Sequence, residues 1–345
     1  MENRILEKFV TGIEDKNLGV HEVVVRHHGE VVDSHQFIEP QGRVQLFSAS
    51  KSWTAIAVGI AIGEGLFGIK DRMVDLLDGD IPYQLPKGYD RLTVWHLLTM
   101  STGHAECPVF KMQAKEREKL INSGIAPSAP GSGRNFSDKW FEAFMTEPLT
   151  FDPDDGHWAY NNGATYVLAR LIEKSAGMNL RDYMMPRVFD PLEIADPVWD
   201  CDPNGHALGA IGLHLNTEEL SRGGQLLLNM GRWNGEQLVP EEFVRQMTSK
   251  QVENANENTD ENAGAGYGYQ TWMCARAGSY RMDGMFSQLS IGVPDCDAVI
   301  ALTSHEEKNG PEIIREVFTK IVPELQRDFL VRKRPAEKFV WHYKV

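Results

Sequence analysis

The stretch Phe47-Ser48-Ala49-Ser50-Lys51-Ser52-Trp53-Thr54-Ala55-Ile56-Ala57-Val58-Gly59-Ile60-Ala61-Ile62 decides how this chain is read. Its second half is apolar enough for a buried helix. Its first half holds a Ser-x-x-Lys, and residues three apart on a helix share a face. Ser48 then stands beside Lys51, near the unpaired N–H groups of a helix start. A hydroxyl next to an amine, in a positive field, is what a serine nucleophile requires. The plain alternative is an N-cap serine followed by a solvated lysine.

Upstream, residues 3–18 read as an amphipathic helix with Ile5, Phe9, Val10 and Ile13 on one side. His21–Arg26 and Glu30–Phe37 read as two strands joined by a turn at His28-Gly29. Gly65 and Gly68 close the Ser48 helix. From about 80 to 250 helical patterns dominate: Thr93–Met100, Ser137–Thr146, Gly163–Ala176, Leu180–Val188 and Thr217–Met230. Residues 123–133 are a Gly/Pro/Ser loop, and Gln251–Ala265 reads as a mobile, solvated acidic loop. Strand patterns return at Tyr267–Arg276, Gln288–Val293 and Ala298–Ser304, and a helix follows from Gly310 to about Leu325.

Strands at both ends with helices between predict an α/β fold, with one sheet assembled from the termini and interrupted by a helical insertion. The expected division is an α/β subdomain of residues 1–80 plus 265–325, a mainly helical inserted subdomain of 81–264, and a tail of 326–345 with no assigned place.

The bulk numbers exclude several classes. A hydrophobic content of 42% supports a full core rather than disorder. A net charge of −14 argues against nucleic acid or an anionic membrane as a partner, since both reward a basic face. The apolar run from Trp53 to Ile62 falls short of the roughly 20 residues a membrane span needs. The first residues lack an apolar signal-peptide region, so a cytoplasmic location is expected. The four cysteines, 107, 201, 274 and 296, form no Cys-x-x-Cys pair and are expected as free, buried thiols. Asp152, Asp154 and Asp155 suggest a calcium loop only until Gly163 is found where its closing Glu should stand. No metal and no cofactor are expected. Among the histidines, His104 is the one with a claim to cleft exposure.

A second element supports Ser48 and Lys51. Tyr160-Asn161-Asn162 is the chain's only Tyr-x-Asn, set just before the Gly163 helix. A phenol there can point into a cleft, and a neighbouring ammonium would lower its pKa of about 10 toward that of a base. The competing reading is a packed tyrosine with Asn162 as helix N-cap.

These segments, together with Leu92-Thr-Val-Trp-His-Leu-Leu-Thr-Met-Ser-Thr-Gly103, resemble the serine β-lactamase-related family over roughly residues 15–325. That family includes class C β-lactamases, DD-peptidases, esterases and 6-aminohexanoate-dimer hydrolases. The resemblance implies a β-lactamase/DD-peptidase-like fold, its antiparallel sheet built from both chain ends and flanked by helices, and a set of roles. Ser48 is then the acylated nucleophile, and Lys51 sits between Ser48 and Tyr160 and shares the proton. Tyr160 deprotonates Ser48 and later protonates the leaving group, and Asn162 bonds Lys51 and the substrate amide. The family's third motif, Lys-Thr-Gly or His-x-Gly on a strand, has its best match at Met282-Asp283-Gly284. The spacing Gly284 to Gln288 is similar to the 6-aminohexanoate-dimer hydrolase type. The resemblance makes the backbone N–H groups of Ser48 and Met285 the oxyanion hole.

The motif keeps its glycine and loses its cation. An anionic substrate would meet Asp283, unless Arg281 or Arg276 compensates, so a neutral or cationic acyl group is favoured. Trp53, Trp158, Phe286 and Tyr267 are candidates for an apolar pocket beside Asp283 and Gly284. The expectation is a serine hydrolase acting on a small ester or amide, with oligomeric state open. The alternatives are a penicillin-binding protein or weak β-lactamase, and a non-catalytic binding protein on the same fold.

Overall fold

The computed structural model describes residues 5–81, 84–122, 138–255 and 260–332. Helix α1 (Glu7–Asp15) buries Phe9 and Ile13. Strands β1 (Val20–His27) and β2 (Glu30–Gln36) follow as a hairpin. Its corner residues His28 and Gly29 have φ of 53° and 85°, the left-handed pair that a tight hairpin turn requires.

Helix α2 (Ser50–Gly63) is buried on every side through Ala61, as its unbroken apolar run demands. The middle of the chain is largely helical and includes α3 (Val94–Thr99), α4 (Asn162–Ala176) and α5 (Thr217–Leu228). Strands then return as β3 (Trp272–Met273), β4 (Tyr280–Gly284), β5 (Gln288–Val293) and β6 (Ala298–Ser304). The sheet order is β2-β1-β6-β5-β4-β3, antiparallel at each pairing. Both ends of the chain therefore build one sheet.

The pleat divides the sheet's faces. Leu289, Ile291 and Val293 of β5 join Val23, Ile300 and Leu302 in a cluster with α1 and with Ile313, Val317 and Ile321 of the C-terminal helical segment. Helix α5 packs on the opposite face, against β5, β6 and β1. It can do so because of Gly223 and Gly224. A Cβ on Gly223 would lie 2.3 Å from the Trp53 ring, and one on Gly224 would lie 2.3 Å from Ser290 Oγ. The helix is thus held between α2 and the sheet at a spacing that side chains would forbid. The larger apolar cluster runs from Leu46 to Ala301, so any two subdomains divided near residues 80 and 265 share a core.

Several local expectations change. The strand expected over 267–276 shrinks to β3, because residues 268–271 form a tight turn closed by Gly268 N–H to Thr271 O at 2.8 Å. Strand β4 is additional to the strands read from periodicity, though the third motif's resemblance puts Met282-Asp283-Gly284 on a strand. It is five residues long and buried on both faces but for the half-buried Asp283. The acidic loop is only partly solvated: Asn254 and Asn262 are buried, Asn254 Oδ1 accepts from Gly266 N at 2.8 Å, and Asn262 Oδ1 from Ala275 N at 3.0 Å. Cys107, Cys274 and Cys296 are buried, but Cys201 is exposed. Residues 326–332 of the tail continue the helix Val322–Arg332. Residues 333–345 and the 123–133 loop lie outside the described residues. Among the described residues, no helix is long and apolar enough to cross a membrane.

Candidate active site

Ser48 lies in a single 3-10 turn, Phe47–Ala49, that runs directly into α2. Lys51, one helical turn on, is only 2% exposed. Its Nζ stands 3.0 Å from Ser48 Oγ and 2.8 Å from the Ala210 carbonyl oxygen. Burial pulls its pKa down to about 7, since a desolvated ammonium is costly.

Tyr160 approaches from the loop before α4. Lys51 Nζ sits 4.8 Å from its ring centroid, and its hydroxyl lies near enough to Ser48 for the serine to act on its pKa. Burial pushes the phenol well above its ordinary value. Ser48 opposes this, and the Asp283 carboxylate adds to it. In the resting site the tyrosine is therefore a phenol, and Lys51 is the group that titrates near neutrality.

The helix cap is Asn161, not Asn162: Asn161 Oδ1 accepts from Gly163 N at 2.9 Å and Ala164 N at 3.3 Å. Asn162 is left free for the site. Its N–H donates to Cys107 Sγ at 3.3 Å, and its buried Oδ1 has no hydrogen-bond partner among the described residues. Lys51 uses Ser48 and Ala210 as acceptors, so the Asn162–Lys51 bond implied by the resemblance is not made here.

Strand β4 forms the other wall. A Cβ on Gly284 would lie 2.1 Å from Leu46 O and 3.1 Å from Ala49 N, so only glycine lets the strand press against the nucleophile turn. Gly284 O accepts from Ser287 N at 3.0 Å. Because a trans peptide sets C=O and N–H in opposite directions, the Met285 N–H points out of that turn. Gln288 Nε2 braces the turn by donating to Ser304 O at 2.5 Å. Met285 itself is 51% exposed.

The aromatic candidates separate. Trp53 is fully buried and stacked on Phe189 at 5.7 Å, so it is core and not cleft. It lies two residues past Lys51, about 200° around the helix, which turns it away from Ser48. Trp158 and Tyr267 are also buried, in a cluster with Met100 and Val252 that backs Tyr160. Phe286 is half-buried and meets Phe47 edge-on at 5.2 Å, beside Ser48. The partly exposed Trp272, stacked on Tyr160 at 6.0 Å, takes a place that its sequence context did not reveal.

Two cations and one histidine also find their places. Arg281 is buried, not superficial, and its Nε donates to Asp283 Oδ2 at 2.7 Å. Arg276 pairs with Asp295. His104 is 1% exposed and bonds Tyr89 and Thr102. Burial pulls its pKa down to about 4, so it is a strut and not a cleft residue.

The profile of the family described as Beta-lactamase matches residues 5–319, nearly the whole chain. This chain belongs to the beta-lactamase family. A penicillin-binding protein of Bacillus subtilis is 25% identical over 182 residues, 49% of this chain and 35% of that protein. The lovastatin esterase of Penicillium rubens is 28% identical over 164 residues, 44% of this chain and 38% of that protein. These alignments span little more than a third of either relative's own length. A Bacillus anthracis protein assigned as a 6-aminohexanoate-dimer hydrolase superposes with a TM-score of 0.70 at 20% identity, covering 93% of this chain and 82% of that one. At that identity the likeness shows the shared beta-lactamase fold. The family is one of serine hydrolases that include esterases, amidases and penicillin-binding proteins.

Proposed function

We propose that the protein is a serine hydrolase that cleaves a small ester or amide through an acyl-enzyme at Ser48. The observation that carries this reading is Ser48 Oγ standing 3.0 Å from a buried amine whose pKa is about 7, with the Tyr160 ring 4.8 Å from that amine. Neutral Lys51 takes the Ser48 proton as Oγ attacks the substrate carbonyl. The N–H groups of Ser48 and Met285 receive the oxyanion, each such donor being worth about 3–4 kcal/mol in a preorganised site. Tyr160 gives its proton to the departing alcohol or amine and recovers one from Lys51. Water then releases the acyl group by the same proton path. Asn162 Oδ1 is available to accept a substrate N–H.

The test is Ser48→Ala against wild type on short p-nitrophenyl esters, with fluorophosphonate labelling alongside. The variant should lose both turnover and label. Equal turnover by both proteins would sink the assignment. The likeness to a penicillin-binding protein supports a second reading, covalent reaction with penicillin. A fluorescent penicillin that labels wild type but not Ser48→Ala would favour it, whereas Asp283 at the site opposes a carboxylate-bearing ligand.

A further inference from the structure

Met282 stands where the family motif carries its cation, Asp283 follows it, and the structure shows which charges a ligand would meet there. Arg281 and Asp283 share a face of β4, two residues apart, with Trp272 paired opposite Arg281. The Arg281 side chain is 3% exposed, whereas that of Asp283 is 28% exposed. The guanidinium is spent inward. It donates to Asp283 Oδ2, to Asn262 O and to Met273 O, and lies 5.5 Å from the Trp272 ring centroid. Of this pair the carboxylate is the solvent-accessible member and the guanidinium is not. Arg276, the other cation near this strand, is held by Asp295.

Three further observations agree. Asp283 adjoins Gly284, which abuts the turn bearing Ser48, and its charge acts on the Tyr160 phenol. The partly exposed rings of Tyr160 and Trp272 stand beside it, and aromatic faces attract cations. The chain's net charge of −14 favours the approach of cations over anions.

We infer that Asp283 is the specificity-determining residue of this site and selects substrates whose acyl chain carries an ammonium group. The inference rests on the hydrolase reading for its catalytic consequence but not for its binding consequence. The carboxylate accepts a charge-assisted hydrogen bond from the ammonium, and the Trp272 and Tyr160 rings complete the cation's surroundings. An N-acylated analogue loses the charge, and a carboxylate analogue meets repulsion.

The experiment compares ethyl β-alaninate, ethyl N-acetyl-β-alaninate and monoethyl succinate, three esters alike around the scissile bond and differing in charge. Wild type should hydrolyse the first with a kcat/KM about tenfold or more above the second, and the third most slowly. Asp283→Asn should collapse the ratio, and Asp283→Lys should turn it toward succinate. Should loss of the partner to buried Arg281 unfold these variants, the double variant Arg281→Gln/Asp283→Asn removes both charges together, and the wild-type ranking still decides. Calorimetric binding of the three esters to Ser48→Ala supplies the arm that is independent of turnover. Equal affinity for the amine and its acetyl derivative, or a preference for succinate, overturns the inference. Tighter binding of the amine ester with no hydrolysis and no fluorophosphonate label on wild type would uphold the inference while removing the hydrolase reading.

Discussion

Lys51 is 2% exposed, and the contacts of its Nζ are the serine it would deprotonate and one carbonyl oxygen. Desolvation lowers its pKa to about 7, so the neutral form needed to take a proton predominates above that pH and is lost as pH falls through it. For an uncharged ester, kcat/KM should therefore rise with pH along a limb centred near 7, read from initial rates between pH 5 and 9. A flat profile across that range would count against Lys51 as the base. Lys51→Met should remove the limb and lower kcat by about 10²–10⁴-fold. Gly284 sets a different constraint. Its would-be Cβ meets backbone on the nucleophile turn, and backbone cannot swing aside as a side-chain tip can. Gly284→Ala should cost about 1–3 kcal/mol in chemical denaturation and depress kcat, because it pushes β4 off the turn holding Ser48. An unchanged kcat in a stable variant would show that the turn tolerates the shift. The pairing of Ser48 with Lys51 was legible in the sequence because three residues on a helix bring two side chains together with no help from the rest of the chain. The state of the proton between Lys51 and Tyr160 was not, since desolvation belongs to the surroundings.

Among the elements, α4 shows how a motif is divided between support and chemistry. Asn161 caps the helix through Oδ1 and reaches Thr102 and His104 through Nδ2, at 3.4 and 3.3 Å. The middle residue of Tyr-x-Asn thus fixes the loop that presents Tyr160, and Asn162 is spared the capping role. Asn161→Ala should cost about 1 kcal/mol for the cap and more for the buried polar groups it leaves, seen as a lower denaturation midpoint. Asn162→Ala should leave the midpoint closer to wild type while lowering turnover of an amide more than that of an ester. Comparable losses of stability in the two variants would contradict this division of labour. Sequence patterns found β1, β2, β5 and β6 because their burial or alternation is clear, whereas the five-residue β4 was placed only by the motif resemblance, its charged residues turned to a buried pairing rather than to solvent. They also overextended the strand at 267, where Gln270 takes a φ of 55° and buries its amide against Leu97 O and Leu98 O.

In the whole molecule, the site forms where three distant parts of the chain meet: the start of α2, the loop before α4, and the end of β4. Gln270 ties two of these parts together, its backbone oxygen accepting from Ser52 Oγ of α2 at 2.7 Å and its Oε1 from Thr165 Oγ1 of α4 at 2.6 Å. Trp53 occupies the junction of α2 with α5 and the helical segment at Phe189. Trp53→Ala should cost about 3–5 kcal/mol on unfolding, as large core truncations do, without altering the ranking of differently charged esters. A changed ranking in a stable variant would return Trp53 to the cleft. Family, fold and the identity of Ser48, Lys51, Tyr160 and Asn162 as candidates were written in local order, because helix periodicity, turn residues and short motifs act over a few neighbours. Tertiary structure alone decided that Trp53 and Trp158 are buried, that Arg281 is consumed by Asp283 and two carbonyls, and that the carboxylate is the partner left partly exposed. Burial and the pairing of charges depend on which remote segments the fold brings within a few ångströms, and local sequence does not encode that distance.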